Sequence, residues 1–448
     1  MNSNLLTLLC VGAAILCHNT VLWGKTLNVV SDYGADSTGA TYATENMQKA
    51  IDACNPGDTL LIPPGKFLLN NGLKLKSEMT VNLSADALLQ ANTEGVWVNN
   101  RSHILFGKGV HKVTIEGGGA IDGGGLVYNR NKGVQPGRGI QFEESSDITV
   151  RNIRVSNIPT FGIDFQRSEN ITVESVKIRG RGFNNVLGSS DGLDIEGCVH
   201  VRISNCDIEV GDDALCLKTS TVGFPCHDIR AHDCTLATTC NAFKIGTNTL
   251  ADVYDVIAEN ITVNKHSNHG KGNPVPTSDC IAAICLESND HQAVRDITCR
   301  NFTINGCYCP IFIALQNRQS KDKGGIGTLN NILIENVNCL RAIQPIIINW
   351  QPGEANKITN VTLSNVTVHN YGREAGGEIS PMKGAYPDAN KIGMANTYGI
   401  WARGVNGLKL RSLNFYDDGG SQRGKMHFDS SAENVDSSAI AVSPAKPK

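Results

Sequence analysis

The sequence predicts an all-β chain wound as a right-handed parallel β-helix, a solenoid, with a short N-terminal capping helix. Three observations predict it. A strand-like motif of alternating apolar and polar residues recurs along the chain, first at intervals in the twenties. No helical pattern separates the copies. Forty-six glycines and only 6% aromatic residues favour tight turns over a helix-rich globule.

Each copy of the motif closes on a polar residue, often Asn, followed by one more apolar residue. The copies run 148–153, 171–176, 201–206, 229–234, 256–261, 297–302, 332–337, 361–366 and 408–413. Their starts are first 23, 30, 28 and 27 residues apart, and later intervals lengthen where loops are inserted. Period-2 alternation marks a strand with one buried face. One strand pattern per copy, repeated at this period, stacks as coils that pack only on their neighbours. Asn tolerates the left-handed bend and bonds to nearby backbone, so it suits a tight turn on every coil. Asparagines stacked in register can also bond to one another along the axis. A sandwich of hairpins would instead show two-residue Asn-Gly or Asp-Gly turns at regular spacing, and these are sparse.

An open coil exposes its core, so the array needs a cover. Residues 43–54 supply it: Met47, Ala50, Ile51 and Cys54 recur at helical spacing. Pro56-Gly57-Asp58 stops that helix, and Thr59 to Ile62 begins the first strand. Residues 1–24 read as a signal peptide, with the apolar stretch Leu5 to Leu16 ahead of Lys25. Residues 25–420 then form the β-helix domain. Residues 421–448, rich in Ser, Ala, Lys and Pro, read as a disordered tail. The expected location is therefore secreted or periplasmic, and the expected state a monomer with no membrane span.

A net charge of −3 with interspersed acids and bases argues against a nucleic-acid footprint. Of 15 cysteines, 13 lie beyond the signal, an odd number, so at least one stays unpaired within the chain. Several fall at core positions of the repeat, where a thiol acts as a small hydrophobe. No zinc-type spacing, GxGxxG after a strand, or HExxH is present, so no metal or cofactor is expected.

The chemistry concentrates in Ser190-Asp191-Gly192-Leu193-Asp194 and Gly211-Asp212-Asp213-Ala214. Asp191 and Asp212 are 21 residues apart, close to one coil, which predicts neighbouring coils at one angular position about 4.8 Å apart. Crowded carboxylates raise one another's pKa, so one keeps its proton while another stays ionised. Glycoside hydrolysis requires that pairing, and its inverting form leaves room for a water. Turn chemistry at Asp191-Gly192 and a Ca²⁺ site are the competing readings. Asp194 reads as a support for the coil.

These residues resemble the polygalacturonase-type enzymes of glycoside hydrolase family 28, in the pectin-lyase-like β-helix superfamily. The likeness runs from about Val30 to Tyr416. Tyr33-Gly34-Ala35-Asp36, Ala50 to Cys54 and Ile62-Pro63-Pro64-Gly65 resemble the superfamily's entry segment. Ser190-Asp191-Gly192 resembles the family's Asn-Thr-Asp-Gly site and Gly211-Asp212-Asp213 its Gly-Asp-Asp site. The resemblance implies catalysis by Asp191, Asp212 and Asp213, with Asp212 as general acid and the other two holding and activating a water. It implies an inverting hydrolase of pectin-type or related polysaccharide. The family's Gly-His-Gly segment falls at Cys240 to Gly246, with Asn241 in place of histidine and Lys244 as a cation on the same strand. Its Arg-Ile-Lys segment falls at Cys285-Leu286-Glu287, where both cations are missing. Asn241, Lys244, Arg318 and Tyr398 are the expected substrate contacts. Long insertions around 264–280, 317–328 and 370–397 favour a walled cleft and exo action. A polysaccharide lyase and a non-catalytic carbohydrate-binding β-helix are the alternatives.

Overall fold

The computed structural model describes residues 24–92, 103–124, 137–180, 190–267, 280–318, 325–381 and 386–439. The expected signal peptide lies outside the described residues, apart from Gly24. The described chain is a parallel β-helix: a 12-stranded sheet of short strands faces a 21-stranded sheet, and every strand pair is parallel. The short-strand sheet stacks one strand per coil in chain order, from Leu73–Lys74 through Asp191–Glu196 and Leu215–Thr219 to Gly424–Phe428.

The repeat motif sets the register of the larger sheet. Ile148, Ile171, Val201, Ile229, Val256, Ile297, Ile332, Val361 and Leu408 each pair with the next copy in turn. All nine are buried in one continuous core between the sheets. Each such side chain removed from water is worth about 1.5–3 kcal/mol. The motif's polar residue adopts positive φ in every copy, from Asn152 to Ser412. Asn301 donates to Asn260, Asn336 to Asn301, and Asn365 to Asn336, at 2.9–3.0 Å. The expected asparagine stack is therefore present on this run of coils.

Helix Thr44–Ala53 covers the first coils, burying Met47, Ala50 and Ile51. Strand Thr59–Ile62 falls where the sequence placed it, but Thr26–Asn28 precedes it and pairs with it in parallel. The reading of everything beyond residue 420 as disordered is corrected: Gly424–Phe428 and Asp436–Ala439 extend the two sheets by one coil. Met426 and Phe428 repeat the period-2 signal and pack against the core, a pattern too short to stand out in a Ser- and Lys-rich stretch.

All 13 described cysteines are free thiols, and all but Cys240 are buried. Many occupy core positions beside Ile and Val. Among the described residues no helix is long and apolar enough to cross a membrane.

Candidate active site

Along strand Asp191–Glu196 the side chains point out, in, in, out, in, out. In Asp191–Glu196, Leu193 and Ile195 enter the core while Asp191, Asp194 and Glu196 lie on the outer face. One coil on, Asp213, Cys216 and Lys218 occupy the equivalent places, with Asp194 paired to Cys216 and Glu196 to Lys218. Gly192 N–H donates to the Asp213 carbonyl, and Asp212 N–H to that of Ser190. The neighbour stacked on Asp191 is therefore Asp213, while Asp212 stands beside Ser190 at the corner. This corrects the expected Asp191–Asp212 alignment by one residue. The register places each residue of this strand opposite one 22 positions later, Leu193 opposite Leu215, so a 21-residue interval falls one short.

The corner is held by local bonds. Ser190 Oγ accepts from Gly211 N–H at 3.1 Å, Thr239 Oγ1 donates to the Gly211 carbonyl at 2.6 Å, and Thr238 Oγ1 donates to the Asp212 carbonyl. Gly192 cannot carry a side chain, because a Cβ there would sit 2.4 Å from the Ala214 carbonyl oxygen.

Asp191, Asp212 and Asp213 line one cavity of about 310 Å³, together with Phe161, Glu196, Lys218, Ser220, Thr247, Asn248, Arg318 and Tyr386. That volume lies at the lower end of the range for small-ligand sites, about 300–1,000 Å³. A larger groove of about 460 Å³ lies around the corner of the solenoid beside Phe224, but its acids, Glu144 and Glu169, are exposed side chains. The smaller cavity is the one that concentrates buried carboxylates.

The three acids differ in their surroundings. Burial, together with the charges of Asp191 and Asp213, pushes Asp212 up to about 7. Burial would raise Asp213 too, but the Lys244 and Lys218 ammonium groups and the Asn241 amide outweigh it and hold Asp213 below the usual carboxylate range. Burial pushes Asp191 upward; Lys218 opposes the rise and the Asp213 charge adds to it. At neutral pH the adjacent pair Asp212 and Asp213 thus divides into a carboxyl near its midpoint and a carboxylate.

Of the expected substrate contacts, only Arg318 lines the cavity. It spans Asp290 with bonds of 3.2 and 2.9 Å and reaches Asn248 at 2.6 Å. Asn241 and Lys244 are 1% and 0% exposed, so neither offers a surface to a ligand. Both serve Asp213 instead: Asn241 Nδ2 donates to its Oδ1 at 2.9 Å, and Lys244 Nζ lies 3.1 Å from its Oδ2. Tyr398 is also corrected. It lies on strand Thr397–Ala402, half-buried and packed against the core, and it does not line the cavity.

Sequence reasoning missed Lys218, Phe161 and Tyr386. Lys218 was legible: Asp213, Cys216 and Lys218 repeat the spacing of Asp191, Asp194 and Glu196. Tyr386 comes from the segment 374–395, which has no periodicity to read. Ile379, Ala389, Ile392 and Ala395 of that segment bury themselves on the outer face of the short-strand sheet, against Phe312, Ile347 and Trp401. They fix Tyr386 as a wall, its hydroxyl accepting from Thr247 at 3.0 Å. Cys285, Leu286 and Glu287 are buried without an exposed cation among them, and burial pushes Glu287 up to about 7 against the pull of Lys244.

Asp212, Asp213 and Cys240 present possible metal-ligand atoms within 4.8 Å of one another. The set does not suit Ca²⁺, which takes about six to eight oxygens, since it offers two carboxylates and a thiol and Lys244 already neutralises one of them.

Residues 56–271 match the family model "Glycosyl hydrolases family 28". Rhamnogalacturonase A of Aspergillus niger is 25% identical over 372 residues, covering 80% of this chain and 68% of that protein. A probable rhamnogalacturonase A of the same species matches at 26% over 53% of this chain, which spans half of that relative's length. Among solved structures, the family 28 exopolygalacturonase of Yersinia enterocolitica superposes with a TM-score of 0.67 at 17% identity, covering 94% of this chain and 79% of the other. PfbA, a surface adhesin of Streptococcus pneumoniae, shares the fold at a TM-score of 0.58 and 14% identity over 92% of this chain and 93% of its own. The fold alone therefore does not separate enzyme from adhesin. The family match, over residues 56–271, spans both acidic segments, and with the rhamnogalacturonase relatives it supports a glycosidase related to glycosyl hydrolases family 28.

Proposed function

We propose that the chain is an inverting glycoside hydrolase of pectin-type polysaccharide, exported from the cell and acting as a monomer. Asp212 is the general acid, and Asp191 and Asp213 hold and activate the attacking water. The observation that carries this reading is the opposite displacement of two adjacent acids in one cavity, Asp212 up to about 7 and Asp213 below the usual range. Asp212 gives its proton to the glycosidic oxygen as the bond to the anomeric carbon breaks. The water adds to that carbon from the opposite face and passes its proton to the ionised carboxylate. A carboxyl poised near the working pH is the efficient proton donor.

Rhamnogalacturonan-type pectin is the favoured substrate. The curated relatives are rhamnogalacturonases, and the position expected to carry a pair of carboxylate-gripping cations holds Cys285 and Glu287. Of the two described cations lining the cavity, Lys218 is paired with Asp191 and Asp194, so Arg318, which is bonded to Asp290, is assigned to an acidic sugar. Tyr386, which lines the cavity together with the three acids, supports exo action as a wall of the trough. Incubation with defined rhamnogalacturonan and polygalacturonate oligosaccharides, followed by NMR of the fresh product, tests the reading. Inverted product from the first substrate is expected; retained configuration refutes the mechanism, and faster cleavage of polygalacturonate refutes the substrate.

The fold shared with the adhesin PfbA favours one second reading, a carbohydrate-binding β-helix without turnover. It requires that oligosaccharide binds and no new reducing ends form. A lyase would form an unsaturated product, detected by its ultraviolet absorbance.

A further inference from the structure

Lys218 is a cation set between two buried carboxyl groups. Its Nζ lies 2.6 Å from Asp191 Oδ2 and 2.7 Å from Asp194 Oδ2, and its side chain is 15% exposed. It reaches both from the next coil, where it stands in register with Glu196. The ring of Phe161 lies 5.2 Å from the ammonium, and Arg138 stands 4.9 Å from the same ring. Arg138 in turn is committed to Asp164 at 2.7 Å. The lysine is therefore boxed in by an aromatic wall and two carboxylates, and the rotamer freedom a lysine normally keeps is removed.

The two carboxyl groups are not equivalent. Asp194 lies deeper, 1% exposed, with Oδ1 buried and without a hydrogen-bond partner, and Asp164 stands in register beside it. Two neighbouring anions cannot both be neutralised by one ammonium in a dry site, so the deeper carboxyl keeps its proton and the charge of Lys218 serves Asp191, the acid that lines the cavity.

We propose that Lys218 is a positioning residue for the reaction: clamped between Asp191 and Asp194, its ammonium holds Asp191 as an anion turned toward the cavity, with Asp194 as the anchor of the clamp. This rests on the reading of Asp191 as a carboxylate that holds the attacking water. It assigns Lys218 no contact with the sugar.

The test compares Lys218→Met, Lys218→Arg, Asp191→Asn and the double variant Lys218→Met/Asp191→Asn on one oligosaccharide, with circular dichroism to check folding. Lys218→Met is expected to lower kcat about tenfold to a hundredfold, the effect of removing a charged hydrogen-bond partner, with KM little changed. The acidic limb of its pH–rate profile moves to higher pH, because Asp191 protonates more readily. Lys218→Arg recovers part of kcat and part of the displacement. The double variant is no slower than Asp191→Asn alone. A rise confined to KM would make Lys218 a substrate contact and overturn the proposal, as would an unmoved acidic limb or losses that multiply in the double variant. Should Lys218→Met not fold, the same readouts are taken on Lys218→Gln, which removes the charge and keeps a donor of similar reach. Full activity in Asp191→Asn is a separate outcome: it refutes the role of Asp191 itself.

Discussion

The side-chain amide of Asn241 donates a 2.9 Å hydrogen bond to Oδ1 of Asp213, one coil back along the solenoid. The resemblance to family 28 puts a histidine at this position, facing substrate. Here the residue is buried, and it works on the carboxylate rather than on the sugar. Asn241→Ala is expected to lower kcat about tenfold to a hundredfold, the worth of a hydrogen bond to a charged group. KM should hold steady. Steady-state kinetics at the optimum pH checks this, and a change in KM alone would return Asn241 to the list of substrate contacts.

The pH profile follows from the same three acids. Asp212 must carry its proton to act, and it is pushed up to about 7, so the rate is expected to fall as pH rises through about 7. Asp213, held below the usual carboxylate range, stays ionised across the working range. The acidic limb therefore reports Asp191, raised by burial and restrained by Lys218, and lies above the ordinary aspartate value of 3.8. A bell with both limbs below about 5 would contradict the assignment.

The asparagine stack predicts a stability effect separate from activity. Asn336 donates to Asn301 and accepts from Asn365 while holding a φ of 55°. Asn336→Ala loses both bonds and places a side chain without local bonding in the left-handed region, a cost of about 1–3 kcal/mol. Asn336→Gly keeps the backbone freedom and loses only the bonds, so it should cost less. Denaturant unfolding ranks the two variants. Equal destabilisation would mean that the bend itself contributes nothing.

Much of the solenoid was legible because each coil repeats one constraint. The apolar pair of residues flanking a polar corner has to enter the same core at the same height, so Ile148 to Leu408 could be aligned by eye and pair in that register. The acidic trio was legible for the same reason, although the register offset of 22 residues, rather than 21, shifted the partner of Asp191 by one. The packing of Tyr398 against the core was not fixed by the sequence pattern, since one aromatic on a short strand reads alike as a core residue and as a sugar contact. The strap 374–395 was not legible either: its four apolar anchors obey no period and meet a surface that is itself the outside of another sheet. The last coil was hidden by composition, with Met426 and Phe428 too few to outweigh the Ser and Lys around them.

The strap yields the prediction for product pattern. Tyr386 stands over Lys244 and Lys391, with ring-to-ammonium distances of 5.6 and 4.5 Å, and forms a wall of the cavity. Tyr386→Ala removes that wall and leaves the three acids in place. Products of wild type are expected to be short and uniform, and those of the variant mixed in length. Chromatography of a digestion time course reads this directly, and unchanged products would remove the strap from the account of exo action.

The central claim is that Asp212 supplies the proton. Turnover of Asp212→Asn on a cleaved oligosaccharide, measured beside its circular dichroism spectrum, tests it most directly. The account predicts a native spectrum and kcat lowered by at least about a hundredfold, the lower end of what general acid catalysis contributes. A folded Asp212→Asn protein that keeps most of its activity would contradict it.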